Sequence, residues 1–226
     1  MSTIMVTGSC AGLGKEIAEA LSSAGHLVLD FDKKLGNDVC APATTWGTDA
    51  PAGLDVLINC AGVNKINWLQ NVTEDDWDLV MDTNAKGIFK MTQWALPELK
   101  KNGGTVVNIV SNAAHMPMRC SLAYNASKGA ALIMTKQLAR ELTGQGVTVF
   151  SISPNKLRGT EMSDDIDRQV VETRGWTMEE AQKYQLAGLL TGEETDPKQL
   201  ANFVEYLLQD KAHHKALSGC DIPYGQ

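Results

Sequence analysis

The run Ile4-Met5-Val6-Thr7-Gly8-Ser9-Cys10-Ala11-Gly12-Leu13-Gly14 decides the fold. Ile4 to Thr7 reads as a strand, and Leu13 to Ala24 has helical periodicity that stops at Gly25. Between them lies a GxxxGxG loop. Glycines there let the chain turn sharply and let a pyrophosphate approach the backbone, while the following helix N-terminus favours negative charge. Gly8, Ser9, Gly12, Leu13 and Gly14 are therefore candidate phosphate-binding residues. A strand feeding such a loop into a helix predicts the first unit of a parallel α/β sheet.

Leu27 to Phe31 is the next strand, and Asp32 follows it, 18 residues after Gly14. A carboxylate at that place can hold both hydroxyls of an adenosine ribose. A 2'-phosphate would meet a like charge, so NAD is favoured over NADP. Lys33 and Lys34 would receive the phosphate in the alternative, and Asp30 is a competing carboxylate in the strand interior. Further strands are expected at Val56–Asn59, Thr105–Ser111, Val147–Ser153 and around Ile222. Helices are expected from Thr73 to about Lys101, kinked at Pro97, and at Leu122–Leu142 and Pro197–Gln209. Thr73 and Asp76 form a helix-capping pattern. Between Asp32 and Val56 the chain holds Pro42 and Pro51 without helical periodicity, and reads as loop.

With 226 residues, 43% hydrophobic and 21% charged, the chain suits one globular domain spanning 1–226. The net charge of -7 argues against nucleic acid or an anionic membrane as partner. No apolar run is long enough to span a bilayer, and the N-terminus lacks the pattern of a secretory signal. Cys10, Cys40, Cys60, Cys120 and Cys220 are scattered and odd in number, which predicts reduced thiols in a cytoplasmic protein and no metal site. His213-His214 reads as a solvated loop.

Tyr124 and Lys128, four residues apart on a predicted helix, share one face. A free phenol ionises near pH ~10. A neighbouring ammonium stabilises the phenolate and draws that value towards working pH, giving an acid-base catalyst.

These pieces together resemble the short-chain dehydrogenase/reductase family, from about Thr3 to the C-terminus. The resemblance is carried by the glycine loop, Asn59-Cys60-Ala61-Gly62, and Asn84 in Asp82-Thr83-Asn84-Ala85-Lys86-Gly87. It continues with Ser111, 13 residues before Tyr124, the Tyr124/Lys128 pair, and Leu217 to Ile222. The resemblance implies a single Rossmann-like doubly wound parallel sheet of about seven strands with helices on both faces. It implies hydride transfer between a nicotinamide cofactor and an alcohol or ketone, no required metal, and a homotetramer or homodimer. Tyr124 would exchange the proton with the substrate oxygen. Lys128 would hold the nicotinamide ribose and lower the phenol pKa together with the positive nicotinamide ring. Ser111 would hydrogen-bond the substrate oxygen, and Asn84 would bind a water linking Lys128 to solvent. Ala61 and Gly62 leave room for the ribose, and Asn59 braces strand and loop.

Two segments depart from the family pattern. The helices flanking the third strand are truncated or lost; Asp38-Val39 is the expected end of that strand and adenine contact, with Trp46 covering the exposed sheet. An open adenine end with weak cofactor binding is expected. After the sixth strand of the pattern, Pro154 matches but Asn155 replaces a glycine, which the left-handed tolerance of asparagine would accommodate. Leu157 would offer backbone groups to the carboxamide of the nicotinamide, and Thr160 its hydroxyl. Ala113, His115, Met116, Arg119 and Leu122 are substrate-wall candidates, and residues 160–190 a mobile lid.

The expected substrate is a small secondary alcohol or ketone, with a sugar or acyl group as variants. One rival is an NADPH-dependent ketone or 3-oxoacyl reductase, although the acidic composition disfavours an acidic carrier protein as partner. The other is a catalytically idle nucleotide-binding sensor or scaffold. A proton relay is superfluous in a sensor, and the complete Asn84, Ser111, Tyr124 and Lys128 set argues against it.

Overall fold

Along β1 (Thr3–Thr7), Ile4 and Val6 join one hydrophobic core while Met5 joins another. The same alternation recurs in β3 (Leu54–Asn59), β4 (Thr105–Ile109) and β5 (Thr148–Pro154), as expected for strands buried on both faces. Residues 1–210 and 215–225 are described by a computed structural model; His213 and His214 lie outside them. Together with β2 (Leu27–Phe31) and β6 (Asp221–Tyr224), the strands form one parallel sheet in the order β2-β1-β3-β4-β5-β6. α1 (Gly12–Ser23) and α7 (Pro197–Leu208) cover one face through Ile17, Leu21, Leu200 and Val204. α3 (Gly87–Asn102) and α4 (Leu122–Leu142) cover the other through Met91, Ala95, Leu99, Ala139 and Leu142. No described helix is long and apolar enough to cross a membrane.

The sheet has six strands among the described residues, not seven. Asp38 and Val39 are not the end of a strand. Short 3-10 turns at Lys33–Leu35 and Ala43–Trp46 replace it, with Gly36 and Gly47 at positive φ and Pro42 opening the second turn. Trp46 takes over the covering role expected of it. Its ring meets Phe31 edge-on at 5.4 Å and Trp94 at 5.8 Å. Its indole N–H donates to the Asp38 carbonyl at 2.9 Å. Lys90 on α3 donates to the carbonyls of Val39 at 3.2 Å, Cys40 at 3.1 Å, and Ala41. One cation thus gathers three carbonyls that lost their strand partners.

The long helix expected from Thr73 is interrupted, but not at Pro97, which lies within α3. α2 (Glu74–Met81), capped by the Thr73 side chain accepting from Asp76 N at 3.1 Å, runs into a π segment at Asp82–Lys86. That segment buries Thr83, Asn84 and Ala85. Insertion of π geometry into a helix often accompanies a functional site.

Candidate active site

A cavity of about 730 Å³ lies beyond the carboxyl ends of the strands. Ligands of open parallel sheets bind there, where strand order reverses between β1 and its two neighbours. Gly8, Gly12, Leu13 and Gly14 line one end. A side chain on Gly14 would overlap the Gly8 carbonyl oxygen, and one on Gly8 would press the Ala61 backbone. The loop therefore packs as closely as glycine permits. Ala11 caps α1 without a side-chain hydrogen bond, no acidic residue occupies the first turn, and the buried Ser9 hydroxyl has no partner. Free N–H groups at a helix N-terminus and a spare hydroxyl fit the diphosphate of a dinucleotide.

Asp32 lines the cavity and is 8% exposed. It accepts from Cys10 N at 3.1 Å and Lys34 N at 2.8 Å, so its carboxylate is tied to the glycine loop. Asp38 and Val39 also line the cavity without being in a strand. Ala61 and Gly62 follow β3, held by Thr7, whose hydroxyl accepts from Cys60 N and Ala61 N, both at 3.0 Å. Asn59 does not line the cavity; its amide donates to Asn108 at 2.9 Å and braces β3 to β4. Pro154, Leu157 and Thr160 complete this wall. The Thr160 hydroxyl caps α5 (Glu161–Arg174) by accepting from Ser163 N at 3.1 Å.

Ser111, Tyr124 and Lys128 meet on the same cavity. Lys128 is 5% exposed; its ammonium lies 5.8 Å from the centre of the Tyr124 ring and donates to the Ile109 carbonyl at 3.0 Å. Burial pushes Lys128 down to about 8, against the Cys60 sulfur, which pulls it up. Burial also pushes the Tyr124 phenol above its ordinary value, with a hydrogen bond to Ser111 opposing. In the protein alone desolvation dominates, opposite in direction to the lowering expected of Lys128 together with the nicotinamide ring. Burial carries the Cys60 thiol to about 12 despite Lys128.

Asn84 is fully buried behind the cavity. It accepts from Val63 N at 2.9 Å and donates to Val63 O at 2.9 Å and Ser127 Oγ at 3.0 Å. Both amide hydrogens are thus engaged in tying the loop after β3 to α4. Asn155 does not adopt a left-handed backbone. Instead its side chain accepts from Asn112 and Lys156 N and donates to the Gly225 carbonyl. Of the expected substrate wall, Met116 and Arg119 line the cavity, while Ala113, His115 and Leu122 do not. His115 pairs with Asp221 at 2.8 Å.

Further wall residues come from α5 and α6 (Met178–Leu186), including Ile166, Val170, Arg174, Tyr184 and Gln185. Lys156 meets Asp167 at 2.6 Å and Glu194 at 3.1 Å, and Gln185 also donates to Asp167. The Arg174 guanidinium sits 4.7 Å from the Trp176 ring and 4.6 Å from that of Tyr184. Sequence reasoning missed these pairings because each joins residues distant in the chain or unremarkable alone.

Residues 40–170 match the short chain dehydrogenase family. The 3-oxoacyl-[acyl-carrier-protein] reductase FabG of Staphylococcus epidermidis is 34% identical, over 93% of this chain and 92% of its own length. The 2,3-dihydro-2,3-dihydroxybenzoate dehydrogenase of Escherichia coli K12 is 28% identical over 98% of this chain and 95% of its own. Among solved structures, a protein from Agrobacterium tumefaciens assigned as a 2-deoxy-d-gluconate 3-dehydrogenase, with bound NADP, superimposes with a TM-score of 0.84 at 26% identity. It covers 99% of this chain and 94% of its own.

Proposed function

This chain belongs to the short-chain dehydrogenase/reductase family, and from that premise we propose that Tyr124 exchanges the proton in hydride transfer between NAD(H) and a small secondary alcohol or ketone. The chain is a nicotinamide-dependent oxidoreductase acting on CH–OH and keto groups. The bound nicotinamide supplies or accepts the hydride. The observation that carries the Tyr124 assignment is the meeting of Ser111, Tyr124 and the Lys128 ammonium in the cavity that the glycine loop also lines.

Tyr124 gives its proton to the carbonyl oxygen in reduction and takes it back in oxidation. Ser111 holds that oxygen within reach. Lys128 binds the nicotinamide ribose and places positive charge beside the phenol. Asn84 braces the loop after β3 against α4 through both amide hydrogens. Gly8, Ser9, Gly12, Leu13 and Gly14 receive the diphosphate. Asp38, Val39, Ala61 and Gly62 flank the adenosine and ribose positions. Leu157 and Thr160 receive the carboxamide, and α5 with α6 forms the lid over the substrate.

Asp32 supports NAD, because a 2'-phosphate would stand beside its buried carboxylate. A second reading, NADP(H) with a 3-oxoacyl substrate, is favoured by the NADP in the Agrobacterium structure and the reductase activity in the Staphylococcus relative's name. Lys33 and Lys34 on the cavity wall would then hold the phosphate. We further infer a cytoplasmic homodimer or homotetramer assembled through α3 and α4, where Phe89 is 48% and Ile133 65% exposed. A screen of alcohols and ketones with both cofactors tests the activity and the choice. Turnover by Tyr124→Phe equal to that of the unmodified protein would refute the assignment.

A further inference from the structure

Buried side-chain polar atoms without a hydrogen-bond partner belong to five described residues, and three of these, Asn64, Ser121 and Arg174, line the cavity. Asn64 is 7% exposed, and neither its amide nitrogen nor its oxygen is bonded. Ser121 is 1% exposed with a free hydroxyl. Arg174 donates from Nη2 to the Arg119 carbonyl at 3.0 Å, which leaves Nε and Nη1 without acceptors. Among the described residues no carboxylate pairs with its charge. Buried polar groups are ordinarily paired, so three on one wall call for a partner that the chain does not supply.

The three share a corner. Asn67 N donates to the Cys120 carbonyl at 2.7 Å, and Asn67 bridges to Ser121, which docks the segment carrying Asn64 on this stretch. Arg174 takes the adjoining Arg119 carbonyl. Cys120, between them, is the one described residue other than glycine at positive φ, 64°. Such backbone strain clusters at ligand sites. The corner also borders the reacting groups. Ser121 caps α4 three residues before Tyr124, and Asn64 follows Gly62, where an added Cβ would lie 3.8 Å from Lys128 Nζ.

We propose that this corner sets substrate specificity: Arg174 receives a carboxylate of the substrate, and Asn64 and Ser121 take an oxygen beside it, so that the substrates are small hydroxy or oxo acids. The assignment rests on the reading of this cavity as the substrate site of a nicotinamide-dependent oxidoreductase. Charge supports it. In a chain of net charge -7, Arg119 and Arg174 both line the cavity, and among the described residues neither has a carboxylate partner. Of the acids on the wall, Asp32 and Asp38 stand at the adenosine end, and Glu161 opens α5, 13 residues before Arg174. The polar atoms lie just beneath the cavity surface, and side-chain rotation delivers them to a ligand seated there. Ile66, Ile166 and Val170 supply the apolar wall for a short carbon chain.

The test is calorimetry on the protein saturated with NADH or NADPH, a complex in which an alcohol binds without reacting. The probes are 3-hydroxybutyrate, 3-hydroxyhexanoate and gluconate, each against its neutral amide at pH 7. At least one acid is expected to bind about tenfold or more tighter than its amide. Arg174→Gln should bring that ratio below about threefold, and Arg174→Lys should restore part of it. Ser121→Ala and Asn64→Leu should weaken acid and amide alike by about three- to tenfold and yet raise Tm, because each removes an unpartnered polar group. A merely structural role predicts the reverse, a lower Tm with affinity unchanged, and that result overturns the proposal. So do acids that bind no better than their amides in every pair, or an acid preference that survives in Arg174→Gln. Should Arg174→Gln not fold, the acid-to-amide ratios of the unmodified protein and the two smaller variants decide. Undiminished turnover by Tyr124→Phe would strike the proton-exchange assignment and leave these affinities, read without turnover, as they are.

Discussion

The Lys128 ammonium is buried 5.8 Å from the centre of the Tyr124 ring, and among the described residues no carboxylate pairs with it. Its one hydrogen bond goes to the Ile109 carbonyl. The protein therefore carries a desolvated cation as a standing cost of its site. Lys128→Met should abolish turnover while stabilising the fold by about 1–3 kcal/mol at pH 7, read as a rise in Tm of several degrees. Lys128 ionises near 8 in the folded chain against 10.5 ordinarily. Its burden is complete below pH 8 and disappears as pH rises towards 10.5, because the unfolded chain then holds more proton than the folded one. The stability difference between variant and parent should shrink over that window.

For the reaction, the raised phenol sets the sign. Burial lifts Tyr124, so phenolate is scarce at neutral pH. The kcat/KM for alcohol oxidation should climb with pH through the neutral range, while carbonyl reduction declines only as the phenol ionises. In the resting protein Ser111→Ala should raise the phenol further, because it removes the bond that opposes burial. Phenolate absorbance checks that direction without substrate.

Cofactor choice should turn on one carboxylate. Asp32→Ala removes the ribose acceptor and the repulsion towards a 2'-phosphate together. NADH binding should weaken by about ten- to a hundredfold while NADPH binding holds or improves. Fluorescence titration of both cofactors measures it. The NADPH reading instead expects Lys33→Ala with Lys34→Ala to weaken NADPH most.

The shortened adenine side should bind loosely. Only turns stand where a further strand is expected, so NADH should bind at micromolar rather than nanomolar concentrations by calorimetry. Trp46→Ala should destabilise the fold by about 1–3 kcal/mol, since it removes both ring contacts over Phe31 and Trp94.

What the sequence disclosed was mostly local. The bounds of α4, Leu122–Leu142, match those read from its periodicity, and the Thr73 cap forms as its spacing indicated. The loop character of this stretch was legible in Pro42 and Pro51, but the loss of the strand expected to end at Asp38-Val39 was not; Trp46 as the cover there followed from an apolar surface left bare. The direction of the Tyr124 shift was not legible, because burial is decided by every element that packs around the ring. Nor was the Asn155–Asn112 pair, which joins residues 43 positions apart through a turn geometry that the pattern had assigned to left-handed backbone. The interruption of the long helix was expected at proline, whose rigidity is visible in one letter. It arises instead at Asp82–Lys86, where no single residue type announces it.

That π segment makes the helix sensitive to chain length as well as to side-chain identity. Asn84 reaches Val63 and Ser127 from within a widened turn that holds a surplus residue. Deleting any one residue between Asp82 and Lys86 would let the helix close into regular α geometry. Because the widened turn absorbs the surplus residue, the flanks would keep nearly their present register, and the loss would fall on the reach of Asn84 to Val63 and Ser127. Insertions and deletions there should be tolerated less well than substitutions at its exposed positions, a difference that a length-varied library would expose.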